Sequence, residues 1–163
     1  MRILVAGIGN IFMGDDAFGC EVAKKLSARE LPADVRLVDY GIRGLDLTYA
    51  LLDNPDLTIL IDAIHRGGAP GTLYTIEPEV ESEGDERVDT HSMDPVRVLQ
   101  AARAMGGAAG RILLVGCEPG DLGGEEGRMG LTPPVAAALD EAAGMVEELI
   151  QKELTGKEVE TYT

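Results

Sequence analysis

Met1-Arg2-Ile3-Leu4-Val5-Ala6-Gly7-Ile8-Gly9-Asn10-Ile11-Phe12-Met13-Gly14-Asp15-Asp16-Ala17-Phe18-Gly19 opens the chain and governs how the rest is read. Its first six residues read as a parallel strand buried on both faces, on the apolar run Ile3-Leu4-Val5-Ala6. Gly7 and Gly9 allow a tight turn at the carboxyl end of that strand. A dinucleotide-binding turn would carry a third glycine where Phe12 stands. It would also keep carboxylates away from the pyrophosphate, because like charges a few ångströms apart repel. Asp15 and Asp16 occupy that place instead. The turn therefore suits the presentation of carboxylate oxygen to a cation or a proton rather than the cradling of phosphate.

Working outward, further apolar runs predict strands over 35–39, 57–62, 72–77 and 111–116, in addition to 2–6. Helical patterns lie between most of them, over 17–30, 45–52 and 95–105, with a long final helix over 133–154. Alternating strands and helices predict an α/β sheet covered on both faces. One link breaks the pattern. Only residues 63–71 separate the third and fourth strands, and they include Gly67-Gly68 and Pro70-Gly71. A parallel crossover needs about a dozen residues, so the fourth strand is expected to run antiparallel. The expected organisation is one domain over 1–154 and a polar tail over 155–163.

The chain has 163 residues, 45% of them hydrophobic and 26% charged, and a formal net charge of −15. Such a charge repels nucleic acid and anionic membrane surfaces, so neither is an expected partner. A basic partner face or a cationic ligand is compatible with it. Cys20 and Cys117 are too few and too far apart for a disulfide framework and are expected to be reduced and buried. With no signal-peptide pattern and no long apolar run, the cytoplasm is the expected compartment.

The residues able to do chemistry are few. Asp62 ends the third predicted strand, and in open α/β sheets ligands gather beyond the carboxyl ends of strands. If the first and third strands are neighbours, Asp16 and Asp62 face one crevice. His65 and His91 are the only imidazoles. His91 precedes a helix and follows the acidic stretch 77–89, a position from which it can reach the same rim. His65 lies in the glycine-rich turn and reads as a surface residue or a supporting one. Two carboxylates and one imidazole suit a borderline divalent ion such as nickel, zinc or iron. Asp39 stands where a nucleotide-binding protein places its ribose acid, but the first turn argues for a structural or cleft-rim role. A Cys117–His91 nucleophile pair has nothing specific behind it, and no Gly-x-Ser-x-Gly elbow occurs. The stretch 116–130, rich in glycine and acid, reads as a mobile rim loop.

Gly7-x-Gly9-Asn10-x-x-x-Gly14-Asp15-Asp16-x-x-Gly19, followed by Asp62 at a strand end and His91 before a helix, resembles the hydrogenase maturation proteases. The likeness runs from Met1 to about Leu154. It implies a three-layer α/β/α fold with a mixed, mostly parallel five-stranded sheet. It further implies an endopeptidase that removes the C-terminal extension of a [NiFe]-hydrogenase large-subunit precursor. Asp16, Asp62 and His91 would be the catalytic, metal-contacting trio. The nickel would be carried by the precursor and not kept as a permanent cofactor. A non-enzymatic nickel chaperone using the same trio is the alternative.

Overall fold

Ile3–Ile8 forms the first strand, β1, and each of its residues is buried. Its odd and even side chains serve two different cores. Ile3 and Val5 join Phe18, Val22, Leu26 and Val146 on one face, while Leu4, Ala6 and Ile8 join Leu47, Leu51 and Leu99 on the other. A strand buried on both faces is therefore the central fact of the sequence pattern as well as of the structure. Each fully buried Leu, Ile or Phe contributes about 1.5–3 kcal/mol through removal of apolar surface from water. The computed structural model describes residues 1–79 and 94–156.

The other strands are β2 (Val35–Gly41), β3 (Leu57–Ala63), β4 (Leu73–Ile76) and β5 (Arg111–Cys117). They lie in the order β2-β1-β3-β5-β4. All neighbouring pairs are parallel except β4 with β5. The antiparallel fourth strand follows from its short connection, as expected. It does not pair with β3, however. β5 returns to lie between them, aligning Asp62 with Gly116 and Ala63 with Cys117. The helices are α1 (Phe18–Ser27), α2 (Gly44–Leu52), α3 (Pro95–Ala104), α4 (Pro133–Ala137) and α5 (Leu139–Thr155). α1, α4 and α5 supply the first core and α2 and α3 the second, which makes three layers.

Two local features differ from the sequence reading. α1 begins at Phe18 because Gly14–Ala17 forms a separate 3-10 turn. The single long final helix is divided at Ala138. There the backbone N–H reaches Val135 O, three residues back, instead of Pro134 O, four back. The last turn before the break is thus wound in 3-10 fashion.

β1 is the point where the chain reverses its direction of travel across the sheet. α1 leads from it to β2 along one face, and α2 leads back past it to β3 along the other. Ligands collect at such a reversal. α1 packs unusually close to this point. A Cβ on Gly19 would overlap the carbonyl oxygens of Ile8 and Ile61, and one on Gly9 would overlap the carbonyl oxygen of Asp16. The opening glycines thus bring helix and turn down upon β1 and β3, with no phosphate involved. Gly19→Ala is expected to cost about 3 kcal/mol or more through forced separation of α1 from the sheet. A urea unfolding curve measures this, and an unchanged midpoint would contradict the close approach.

Candidate functional site

The adjacent carboxylates of the opening motif part company. Residues one apart on a 3-10 turn point about 120° apart. Asp15 turns inward and is fully buried. Its Oδ2 accepts from Gly120 N at 2.7 Å, Asp121 N at 3.0 Å and Thr132 Oγ1 at 2.7 Å, and its Oδ1 accepts from Thr132 N at 2.7 Å. Burial pushes this carboxyl up, but the hydrogen bonds outweigh it and hold the group below its ordinary range. Asp15 is therefore a latch on the loop between β5 and α4. Gly14 N and Asp15 N donate to Arg128 O and Asp121 O in the same loop, and Arg128 N donates to Phe12 O. The stretch expected to be a mobile rim loop is held by these bonds.

Asp16 turns the other way and is half-buried. Its Oδ2 accepts from Asn10 N at 2.8 Å, which fixes it beside the end of β1. Burial raises its carboxyl above the usual value, against the Asn10 bond. Asp62, 8% exposed, ends β3 on the face that Leu60 shares with α2 and α3. The described residues give its carboxylate one donor, Ala63 N, at 2.8 Å from Oδ1. Burial, then the charge of Asp16, push the Asp62 carboxyl well above the usual range; Ala63 works against this, and the charge of Asp94 adds to it. β1 and β3 are neighbours, and the two carboxylates lie close enough for the charge of Asp16 to be felt at Asp62. Among the described residues no cation offsets them. Two partly desolvated anions that repel one another are what a divalent cation would neutralise, and among the described residues no third His, Cys, Asp or Glu joins them as a metal donor.

His91 lies outside the described residues, and so does most of the acidic stretch before it. Asp94, three residues further on, caps α3 by accepting from Val96 N at 3.0 Å. Since the Asp94 charge is felt at Asp62, the start of α3 lies beside the crevice.

The remaining candidates fall away on geometry. Cys117 is fully buried, and burial followed by the Asp15 charge pushes its thiol up to about 12, so it is no thiolate nucleophile. Cys20 is also buried, donates to Gly9 O at 3.4 Å and is pushed up further. Both cysteines are free, as expected. Asp39 accepts from Gly41 N at 3.0 Å, a turn-forming bond, and borders a groove beside Phe12 and Ile42. Its cleft-rim reading therefore holds.

Sequence reasoning missed Glu118. It stands one place beyond β5 and is 1% exposed. Its Oε1 accepts from Arg66 N, Gly68 N and Tyr74 Oη, each at 2.9 Å, and His65 Nδ1 lies 2.9 Å from its Oε2. Burial raises this carboxyl, but these donors and the charge of His65 bring it below its ordinary value. The available signal was an acid at the end of a buried strand, the same signal that picked out Asp62.

The family model described as hydrogenase maturation protease matches residues 20–149. The chain belongs to the hydrogenase maturation protease family. It is 36% identical over 152 residues to the hydrogenase expression/formation protein HupD of Rhodobacter capsulatus, covering 91% of this chain and 71% of that one. It is 33% identical over 148 residues to the hydrogenase 2 maturation protease of Escherichia coli, covering 90% and 88%. The solved structure of the hydrogenase maturating endopeptidase HybD from E. coli superposes with a TM-score of 0.76 at 34% identity, over 94% of each chain. A [NiFe] hydrogenase maturation protease HycI from Thermococcus kodakarensis gives 0.73 at 28% identity, over 92% of each. The mixed five-stranded sheet is thus the fold of this family, and the expectation of a peptidase is met.

Asp15 and Asp62 should respond to pH with opposite signs. Asp62, raised in the fold above its unfolded value of about 3.9, weakens the fold as pH climbs from there through its folded value. Asp62→Asn is expected to melt above the parent at pH 8, with the gap shrinking toward pH 4. Asp15, lowered in the fold, stabilises above about pH 3.9, and that stabilisation is lost as pH falls through its folded value. Asp15→Ala is expected to lose about 3 kcal/mol at pH 7, since several buried donors lose their acceptor. Thermal melts across this range measure both, and melting differences that ignore pH at Asp62 would contradict its desolvation.

Proposed function

We propose that this protease removes the C-terminal extension of a [NiFe]-hydrogenase large-subunit precursor, and that nickel already seated in the precursor permits the cut. Residues 1–154 act as the one working domain, with 155–163 as a tail. The observation that carries the reading is the pair Asp16 and Asp62 beyond the neighbouring ends of β1 and β3, partly desolvated, mutually repelling and without a counter-cation among the described residues. His91 completes the trio. It stands three residues before Asp94, at most about 11 Å of extended chain from the cap of α3.

An ion brought by the precursor offsets the Asp16–Asp62 repulsion, whereas an empty precursor leaves it in place. Nickel loading is therefore read as charge neutralisation, and the metal is part of the substrate. With the nickel bound by Asp16, Asp62 and His91, the adjoining peptide bond is placed for hydrolysis. One carboxylate accepts a proton from water as its oxygen attacks the carbonyl carbon. The C–N bond breaks, and the proton passes to the departing amine. The surroundings suit a polypeptide. Ile11, Phe12, Ile42, Leu122 and Met129 are exposed on loops at this end of the sheet, Phe12 by 63%, and Leu45 is exposed on the first turn of α2. Such a cluster of exposed apolar side chains is a feature of protein-binding surfaces.

Purified protein is expected to shorten nickel-loaded precursor and to leave nickel-free precursor intact, as read on a gel and by mass spectrometry of the released fragment. Asp16→Asn and Asp62→Asn should each lower the rate about a hundredfold. Equal cleavage of loaded and empty precursor would overturn the gating. Stoichiometric nickel uptake by the free protein with no cleavage would favour the carrier instead.

A further inference from the structure

The geometry points to a second recognition element on the same rim: His65 and Arg66 form a peptide clamp that takes a carboxylate and a neighbouring backbone N–H of the substrate chain. This rests on the proteolytic reading above and names a substrate feature that the Asp16–Asp62 crevice does not address.

The clamp is built from inside the protein. Glu118 is a buried carboxylate with no part in the Asp16–Asp62 site. Through Oε1 it holds the Arg66 and Gly68 amides and the Tyr74 hydroxyl, so the backbone of the turn that carries Arg66 is fixed. Its Oε2 makes no hydrogen bond among the described residues and lies 2.9 Å from His65 Nδ1 as an ion-pair contact. With a proton on Nδ1 facing this carboxylate, the neutral form of the ring offers its Nε2 lone pair outward. The His65 side chain is 82% exposed, so Nε2 is offered to solvent as an acceptor for an amide N–H.

Arg66 complements it. Its Cζ sits 5.7 Å from the centroid of the Tyr74 ring, the same tyrosine that Glu118 anchors. Stacking orients the guanidinium while leaving its N–H fork without an ion pair among the described residues. Other arginines at this end of the sheet are occupied. Arg43 donates to Tyr40 O, Asp39 O and Asp46, and Arg128 donates to Asp121. In a chain of net charge −15, Arg66 is thus the place on these loops where an anionic group of the substrate is welcomed. The loop carrying both side chains starts directly after β3, whose last turn toward the rim carries Asp62. Donor fork and acceptor nitrogen together match a peptide unit next to a carboxylate, either an acidic side chain or the chain's own terminus.

Two measurements test this, one of which does not depend on proteolysis. His65 and His91 are the only imidazoles, so their ring signals in a proton–carbon NMR spectrum are assigned with one variant, His65→Gln. The probes are the tripeptide Ala-Ala-Ala with a free carboxyl terminus, its C-terminal amide, and Ala-Glu-Ala amide. The His65 signals are expected to shift saturably with a carboxylate-bearing peptide, to stay still with Ala-Ala-Ala amide, and to lose the response in Arg66→Gln. The free-terminus and Glu probes tell the terminal carboxylate from the side-chain one. With precursor, Arg66→Gln and His65→Gln should each raise KM about threefold at unchanged kcat, and Arg66→Gln should also leave the melting temperature unchanged. His65 signals indifferent to every peptide, or a KM untouched in both variants, would overturn the clamp. Absence of cleavage by the parent would overturn the proteolytic reading while the peptide titration still decides the clamp.

Discussion

The carboxylate of Asp15 is the interaction on which the working end of the molecule depends. It is buried, ionised and satisfied by donors from Gly120, Asp121 and Thr132, all more than a hundred residues away in the chain. Those bonds fix the 3-10 turn after β1 and the loop after β5 as one unit. A side effect decides the chemistry. Once Asp15 is committed inward, Asp16 must project elsewhere, and the direction left to it is toward Asp62. One half of an acidic pair is thus spent on architecture, and the other half is left beside Asp62.

The two acids illustrate how surroundings separate identical side chains. Asp15 is the more deeply buried, yet its carboxyl lies low because donors surround it. Asp62 is nearly as buried, but with one donor and two anionic neighbours its carboxyl is forced high. Burial alone would have predicted the same outcome for both. The number of donors per oxygen decides. Glu118 repeats the Asp15 pattern in another loop, which explains why this short, glycine-rich return between β3 and β4 keeps a definite shape.

Much of this was legible in the sequence. The apolar run before Gly7 identified β1, and the shortness of 63–71 identified the antiparallel strand. Asp62 stood out as a carboxylate closing an apolar run, a signal that Glu118 after β5 shares. Three features were not legible. Adjacent aspartates on a tight turn do not announce which of them faces inward, since that depends on loop 118–132 arriving from the far end of the chain. What Glu118 binds was not legible for a similar reason: its donors at Arg66 and Gly68 are separated from it by some fifty residues. The break at Ala138 escaped because alanine neighbours carry no breaker signal, and the shift of one hydrogen bond from Pro134 to Val135 is a packing decision. Local pattern carried the elements, and long-range hydrogen bonding carried the distinctions among the acids.

The placement of β5 between β3 and β4 also matters while the polypeptide is being made. Leu73–Ile76 find their partners only at Leu114–Cys117, roughly forty residues later. At a synthesis rate of about 5–20 residues per second, that gap lasts roughly 2–8 seconds. During this interval the nascent chain carries a strand with no mate beside an unfinished sheet. A newborn molecule is thus exposed to misassociation until its fifth strand emerges from the ribosome, which makes delayed arrival at that strand, for instance through slow codons between them, a hazard to yield rather than to catalysis.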